Sequence, residues 1–233
     1  QSFWHGKTLG DAFEASLTPE ERAGSYLEKG INRCGLYVYA GVGHVSANYE
    51  RLFRLGFGGI RKSVQAEMAK LDTARPEDAK KQEFYQAELY ALEGASTYIR
   101  RYGELAAQMA AAESDPQRKA ELERISSNCL QVAEGAPRDF WEAIQLYHLA
   151  TNMIIIESNG HSLSYGRLDQ YCFPYYERSR QAGMTEEQAC ELLENLWLRT
   201  YSVNKIRSWS HTRFSAGSPL YQNVTIGGQT PDG

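Results

Sequence analysis

The chain has 233 residues, a formal net charge of −4, 42% hydrophobic residues and 23% charged residues. This composition is typical of a soluble globular protein, and the length allows a sizeable core in one large or two small domains. The basic residues are scattered and form no block, so the charge pattern argues against a nucleic-acid partner. The longest purely apolar run, Met153–Ile156, is too short to span a membrane.

Helical patterns dominate the first half of the chain. Thr18–Glu21 has the residues of a capping box with proline at the first helical position, and a second helix is expected from about Asn48. The glycines within Gly56–Gly59 would weaken an isolated helix, so we expect another backbone to approach closely there. Pro76–Ala112 has the pattern of a long amphipathic helix, and Asp115 precedes the proline that starts the next one.

The second half begins with the most apolar helical pattern of the chain, Phe140–Glu157. Its apolar residues occupy most of the helix circumference, which predicts a buried helix. Arg167–Arg180 is expected to form a tyrosine-rich helix that is interrupted or bent near Pro174. Thr185–Gln188 again has the residues of a capping box, and the helix that it starts is expected to run to about Ile206.

Gln222–Ile226 is predicted to be a strand, because polar and β-branched residues alternate before two glycines. The chain continues from this strand pattern into a loop-like end, and it begins without methionine. We therefore expect the sequence to be a segment of a longer protein.

The cysteines Cys34, Cys129, Cys172 and Cys190 lie far apart and form no Cys-x-x-Cys pair. That spacing argues against a disulfide framework or a zinc site and favours a reducing compartment. The opening Gln1–His5 lacks the charged and apolar regions of a signal peptide. We therefore expect a cytoplasmic protein.

The stretch Glu157–Tyr171 contains the candidate chemistry, because it places many polar groups directly after a buried helix. His161 and Ser162 follow Gly160, and both side chains are expected to point inward. A buried imidazole and hydroxyl can hold a substrate hydroxyl or deliver a proton. The alternative is a core histidine with satisfied hydrogen bonds and a serine that caps the helix.

His44 follows Gly43 at another glycine-marked helix junction, where it could act as an acid or hydrogen-bond an exposed carbonyl. Glu157 and His161 have the spacing of a metal-binding pair on one helix face. Gly160 separates them and no partner pair occurs elsewhere in the sequence, so we expect no metal site.

Arg167 and Asp169 are most simply read as an ion-pairing set that anchors the loop. The neighbouring tyrosines are more typical of a packed wall than of a cofactor site: Tyr165, Tyr171, Tyr175 and Tyr176. The small residues of Ser215–Tyr221 would let a backbone approach a ligand, with Tyr221 at the mouth of the strand. An ordinary loop entering a strand is the equally weighted alternative.

Glu157–Tyr171, with the sequence ESNGHSLSYGRLDQY, resembles the glycyl radical enzyme family. Within that family it is most similar to the pyruvate formate-lyase-like branch that includes glycerol, propanediol and hydroxyproline dehydratases and choline trimethylamine-lyase. Further stretches agree in the same order along the chain, from the opening onward: Phe3–Thr8, Gly43–His44 with Asn48–Glu50, Arg138–Ala143 and Gln222–Gly228.

The resemblance implies a mainly helical segment, residues 1–233, of a single pyruvate formate-lyase-type domain whose whole fold is a ten-stranded α/β barrel in a helical shell. It also implies a radical-SAM activating enzyme as partner, a glycyl radical as the cofactor, no bound metal and a homodimer. The family's thiyl cysteine lies in a Gly-Cys-x-Glu loop and its radical glycine in an Arg-Val-x-Gly-Tyr loop. Both motifs are expected downstream, and none of the four cysteines present occupies such a motif.

By the same resemblance, His44, His161 and Ser162 match positions that hydrogen-bond substrate hydroxyls in the diol dehydratases. Tyr221 matches an aromatic position over the substrate, and Ser215 is expected to face the pocket. Leu36 and Ser218 differ from the residues that several members have at these positions.

The predicted function is therefore a radical dehydratase, a C–O lyase, that acts on a small hydroxylated substrate. This segment alone is expected to be inactive. The alternatives are formate C-acetyltransferase or C–N lyase activity of the same family, or a non-catalytic helical scaffold if these residues are the whole product.

Overall fold

The computed structural model describes residues 12, 15–24, 44–72, 74–158, 162–203 and 222–229. The described part is mainly helical, as expected from the sequence, and none of its helices is long and apolar enough to cross a membrane. Its seven helices are α1 Pro19–Gly24, α2 Tyr49–Met68, α3 Pro76–Ala112, α4 Pro116–Val132, α5 Phe140–Ser158, α6 Leu168–Gln181 and α7 Glu186–Ser202.

The chain divides into two compact units. The helical unit comprises residues 48–153, 167–196 and 226–233. The bridged unit comprises residues 1–47, 154–166 and 197–225, and it takes its name from short parallel β-bridges. Helices α5 and α7 each contribute residues to both units.

The helix starts follow the side-chain caps that the sequence predicted. At Thr18–Glu21 and at Thr185–Gln188 the two side chains bond each other's backbone N–H groups, so both capping boxes are formed. Asn48 and Asp115 each accept a hydrogen bond from the first turn of α2 and α4, at 2.9 Å. These local bonds satisfy amide groups that a helix start would otherwise leave unpaired.

The glycines of α2 let a second backbone segment approach, as expected. Gly56 has φ 65° and interrupts the helical geometry, and a Cβ added there would lie 2.4 Å from the carbonyl carbon of Gly135. The N–H of Gly58 donates to the carbonyl oxygen of Glu134 at 2.8 Å. Only glycine combines this backbone angle with this close approach.

The same junction is held by charge. The carboxylate of Glu134 accepts hydrogen bonds from Arg61 at 2.8 Å and Arg100 at 3.0 Å, and Arg61 also donates to Ser96. These partners join α2, α3 and the turn after α4. The cluster is partly buried, so its ion pairs are less screened than pairs on an open surface.

Helix α5 is buried, as its apolar pattern predicted, and Ala143, Leu146 and Tyr147 are inaccessible to solvent. Glu142 is also fully buried. Its carboxylate accepts bonds from the backbone N–H of Arg138 at 2.6 Å and from the guanidinium at 2.5 and 3.0 Å. This pairing compensates the cost of removing the carboxylate from water at the start of the helix.

Of the interruption or bend expected near Pro174, the interruption is absent, since α6 continues through that residue. The tyrosines of α6 form packed contacts, in agreement with the interpretation as a wall. The rings of Tyr171 and Tyr175 meet Phe53 edge-on, with centroids 6.2 and 5.7 Å apart. The hydroxyl of Tyr175 donates to the carbonyl oxygen of Phe53 at 2.9 Å, which joins α6 to α2.

Candidate functional site

Three short extended segments meet side by side in the bridged unit: residues 45–46, 164–166 and 223–225. Ser46 pairs with Ser164 and Gly166 pairs with Val224, both in parallel orientation. The hydrogen bonds run from Ser164 N–H to Val45 O, from Tyr165 N–H to Asn223 O and from Thr225 N–H to Gly166 O, at 2.7–2.9 Å. The predicted strand Gln222–Ile226 is therefore represented by a single bridge and not by a ladder.

His44 and Ser162 have the same unusual backbone conformation. Their φ angles are 56° and 57°, and no other non-glycine residue of the described part has a positive φ. This left-handed region costs an L-amino acid about 1–2 kcal/mol. Each residue stands two positions before a bridged serine, Ser46 or Ser164, so the two strained residues enter neighbouring parallel segments from the same direction.

The side chains of these two residues differ in exposure. Ser162 is 4% exposed, in agreement with the prediction that its side chain lies inside the protein. His44 is exposed in this structure. Ser162 thus offers a buried hydroxyl and His44 a solvent-accessible imidazole, and each of these groups can hydrogen-bond a polar molecule.

The segment after Ser162 is fixed by packing on both sides. Leu163 packs with Ile155 of α5. Tyr165 is buried and its hydroxyl bonds that of Thr200, while its ring stacks on Trp197 at 6.4 Å. Burial raises the pKa of Tyr165, against the smaller opposing effect of the Thr200 hydrogen bond, so this phenol stays neutral at physiological pH.

The sequence reasoning did not single out Trp197 and Thr200. Their three-residue spacing on α7 places both on one helix face, and that periodicity is the signal that could have found them. They support Tyr165 and therefore help to hold the segment that contains Ser162.

Arg167 and Asp169 anchor a loop, but through its backbone and not through an ion pair with each other. Within the helical unit, the guanidinium of Arg167 donates to the carbonyls of Gly227 and Gln229 at 2.7 and 3.1 Å. The carboxylate of Asp169 accepts from the N–H of Gly227 at 2.8 Å. Gly227 and Gly228 have φ 77° and 92°, which lets the chain turn against this pair of side chains.

The remaining predicted site residues, His161, Ser215 and Tyr221, lie outside the described residues. Residues 162–203 and the other described ranges contain no group of three or more histidine, cysteine or acidic side chains arranged to hold a metal ion. Of the three described cysteines, Cys129 and Cys172 are buried and Cys190 is exposed.

Comparison with known proteins gives a consistent picture. The family model described as pyruvate formate lyase-like matches residues 1–233. The (2S)-3-sulfopropanediol dehydratase of Klebsiella oxytoca is 38% identical over 233 residues, which is 99% of this chain and 28% of that protein. The chain therefore spans less than a third of the length of this relative.

Two solved structures resemble the chain in fold as well as in sequence. The glycerol-bound B12-independent glycerol dehydratase from Clostridium butyricum has a TM-score of 0.81 at 36% identity. The structure describing 1,2-propanediol dehydration in Roseburia inulinivorans has a TM-score of 0.82 at 34% identity. Both matches cover 99% of this chain and 29% of the solved chain.

Proposed function

The chain belongs to the pyruvate formate lyase-like family, and from this premise we propose that it is part of a glycyl radical dehydratase, a C–O lyase acting on a small hydroxylated substrate. The names of the relatives support this choice, since glycerol, propanediol and sulfopropanediol all contain hydroxyl groups on neighbouring carbons. We also propose that the two units belong to one incomplete pyruvate formate-lyase-type domain.

The observation that supports the site most strongly is the left-handed backbone of His44 and Ser162. Strained conformations persist where the surrounding structure enforces them, and they are concentrated at functional sites. Glycine would occupy both positions without strain, so the histidine and serine side chains have a reason to be there. Substrate binding by these side chains supplies that reason.

The proposed chemistry assigns each side chain a task. The buried hydroxyl of Ser162 hydrogen-bonds a substrate hydroxyl and fixes its direction. His44 and His161 hold the hydroxyl that leaves and supply its proton, as imidazoles do near neutral pH. Tyr221 packs over the substrate and excludes water, and Ser215 faces the same pocket.

The radical itself comes from residues that this chain does not contain. Neither a Gly-Cys-x-Glu nor an Arg-Val-x-Gly-Tyr motif occurs in the 233 residues. In the proposal, a glycyl radical installed by a radical-SAM activating enzyme supplies hydrogen-atom abstraction, and the residues named above bind and orient the substrate. We further propose a cytoplasmic homodimer.

The direct test is to activate the full-length protein that contains this chain and to assay glycerol, 1,2-propanediol, 3-sulfopropanediol, trans-4-hydroxyproline and choline. The proposal expects a hydroxylated substrate to lose water with formation of a carbonyl or imine product. Turnover of pyruvate with coenzyme A, or of choline alone, would instead support the formate or C–N lyase alternatives.

A second measurement separates binding from folding. His44→Gln and His161→Gln should each lower kcat by about 10²- to 10⁴-fold, the usual contribution of a positioned acid or base. Tyr201→Ala is the control, because Tyr201 is 89% exposed and has no role in the proposed site. Equal losses of folded protein and of activity in the histidine variants would favour a structural role for them.

A further inference from the structure

The middle one of the three bridged segments is held on one face by the end of α7. Tyr165 contacts two residues of that helix, since its hydroxyl bonds the hydroxyl of Thr200 and its ring stacks on Trp197 with an interplanar angle of 11°. Two positions before Tyr165, Leu163 lies in the apolar cluster against which Val203 packs. Side chains two positions apart in an extended chain point to the same face. This face is therefore packed by α7 and by the residue that directly follows it.

The backbone of this segment lies between the two other bridged segments. The N–H of Tyr165 donates to the carbonyl oxygen of Asn223 at 2.7 Å, and the N–H of Ser164 donates to that of Val45 at 2.8 Å. Tyr165 is buried, with 1% of its surface exposed. Its side chain contacts α7 while its backbone bonds a neighbouring segment, so Tyr165 links the packing against α7 to the alignment of the three segments.

Ser162 lies three positions before Tyr165 in the same run of chain. Its φ of 57° is unfavourable for serine, so the contacts of the residues beside it must enforce this angle. Leu163 contributes apolar packing, which has little directional preference. The hydroxyl bond between Tyr165 and Thr200 is directional, and it fixes where the segment lies along α7. The direction of the Ser162 hydroxyl therefore depends on this bond.

We propose that Tyr165 and Thr200 are positioning residues of the substrate site and act on it through Ser162. Neither side chain contacts the substrate in this assignment, because the two hydroxyls meet where the segment packs against α7. This role depends on the proposed function, in which the Ser162 hydroxyl binds a substrate hydroxyl. A misplacement of 1 Å can lower the rate about 10²-fold, so the loss of this single bond should lower it about 10-fold.

The first experiment removes the two hydroxyls, one at a time, from the activated full-length protein. Tyr165→Phe and Thr200→Val keep the shape of each side chain. Burial raises the pKa of the Tyr165 phenol, so the phenol is neutral and its replacement removes no charge. Each variant should lower kcat/KM per folded molecule about 10-fold for the hydroxylated substrate that the native protein turns over. The double variant should be less than about 3-fold below the lower single variant, because both substitutions break the same bond.

The matched control is Tyr175→Phe. The hydroxyl of Tyr175 donates to the carbonyl oxygen of Phe53 at 2.9 Å, within the helical unit. Tyr175→Phe therefore also removes one phenol hydrogen bond, and it should lower the midpoint of chemical denaturation as Tyr165→Phe does. It should leave kcat/KM per folded molecule unchanged. Equal losses of kcat/KM in the two variants would show a general effect of lost stability and would overturn the assignment.

The second experiment tests whether Tyr165 acts through Ser162. Tyr165→Phe is introduced into the Ser162→Ala variant, which has no hydroxyl left to position. In that background kcat/KM should change by less than about 2-fold, whereas in the native background it should fall about 10-fold. The same 10-fold loss in both backgrounds would show that Tyr165 acts elsewhere and would overturn the proposal. If Tyr165→Phe gives too little folded protein, Thr200→Val replaces it in both backgrounds.

The results distinguish the positioning role from the proposed function. Full activity of Tyr165→Phe and Thr200→Val, together with a large loss in Ser162→Ala, would overturn only the positioning role. Full activity of Ser162→Ala, or no turnover of any hydroxylated substrate by the native protein, would overturn the proposed function, and the positioning role would fall with it.

Discussion

The two units place residues in left-handed backbone conformations in different ways. In the helical unit, the position at which α2 meets the backbone of residues 134–135 is occupied by Gly56, which adopts φ 65° without strain. In the described part of the bridged unit, Gly166 also has a positive φ of 60°, but the two other such angles belong to His44 and Ser162, which have side chains and are strained by them. The first arrangement is what stability alone would select.

The difference between Gly56 and the strained residues His44 and Ser162 indicates a functional role for these two side chains. A protein that only needed the turn at residue 44 or 162 could use glycine, as it does at position 56. Retaining a histidine and a serine there lowers stability by about 1–2 kcal/mol per residue. Such a cost is expected where the side chain contributes to activity, because stability and activity are often in conflict at a site.

The largest expected change in stability is in the helical unit, at Gly56. Gly56→Ala should lower the free energy of unfolding by about 3–5 kcal/mol, because it combines a left-handed alanine with a backbone overlap at 2.4 Å. Chemical denaturation followed by circular dichroism measures it. Gly94→Ala is the control, since its Cβ enters open space and should stabilise the helix by about 0.5–1 kcal/mol. Similar values for the two variants would refute the close approach.

The next effect concerns the buried carboxylate of the helical unit. Glu142→Ala should cost about 3 kcal/mol, because it removes the partner of the Arg138 backbone and guanidinium from a fully buried position. Glu121→Ala breaks an exposed pair with Arg118 and should change stability by less than about 1 kcal/mol. Thermal or denaturant unfolding of both variants tests this. If the two losses were equal, burial would not be the cause.

A smaller effect should appear as a dependence on pH. Burial, with a lesser contribution from Asp169, raises the pKa of the Cys172 thiol from 9.0 to about 12. The folded state therefore keeps a proton that the unfolded state loses, so stability declines as pH rises from about 9 to 12. The expected contribution to this slope is at most about 1.4 kcal/mol per pH unit.

Unfolding measured between pH 8.5 and 10.5 checks this expectation. Cys172→Ala should make the decline shallower, whereas replacement of the exposed Cys190 by alanine should leave it unchanged. Activity per folded molecule should survive Cys172→Ala, in keeping with a structural role for the helical unit. If Cys172→Ala lowered activity without lowering stability, the helical unit would not have a purely structural role.

A structural feature can be predicted from the sequence when the interactions that form it join residues close together in the chain. The starts of α1 and α7 were predicted correctly, because each capping box joins residues three positions apart. The close approach of another backbone at Gly56 was also predicted, from the glycines themselves. In contrast, the sequence could not decide between an interruption and a bend near Pro174, and the structure excludes the interruption. The tyrosines that tie α6 to α2 make contacts that are distant in the chain.

The candidate site was less predictable, because it is formed by residues that are far apart in the chain. The predicted strand at 222–226 pairs with Gly166, and that choice depends on residues far away in the chain. The left-handed angles of His44 and Ser162 leave no signal in composition or periodicity, since only a few per cent of non-glycine residues adopt a positive φ. The identities of these residues suggested a pocket, whereas their backbone strain became visible only in the structure.

The central claim is that Ser162 keeps a strained backbone conformation because its hydroxyl binds substrate. The most direct test compares the variants Ser162→Gly and Ser162→Ala in the full-length protein. Glycine relieves the strain and alanine keeps it, while both remove the hydroxyl. The account predicts that the glycine variant is at least as stable as the alanine variant and within about 1 kcal/mol of the native protein. Both variants should lose activity to a similar extent, on the order of 10²-fold. A glycine variant that unfolds easily but keeps full activity per folded molecule would contradict it.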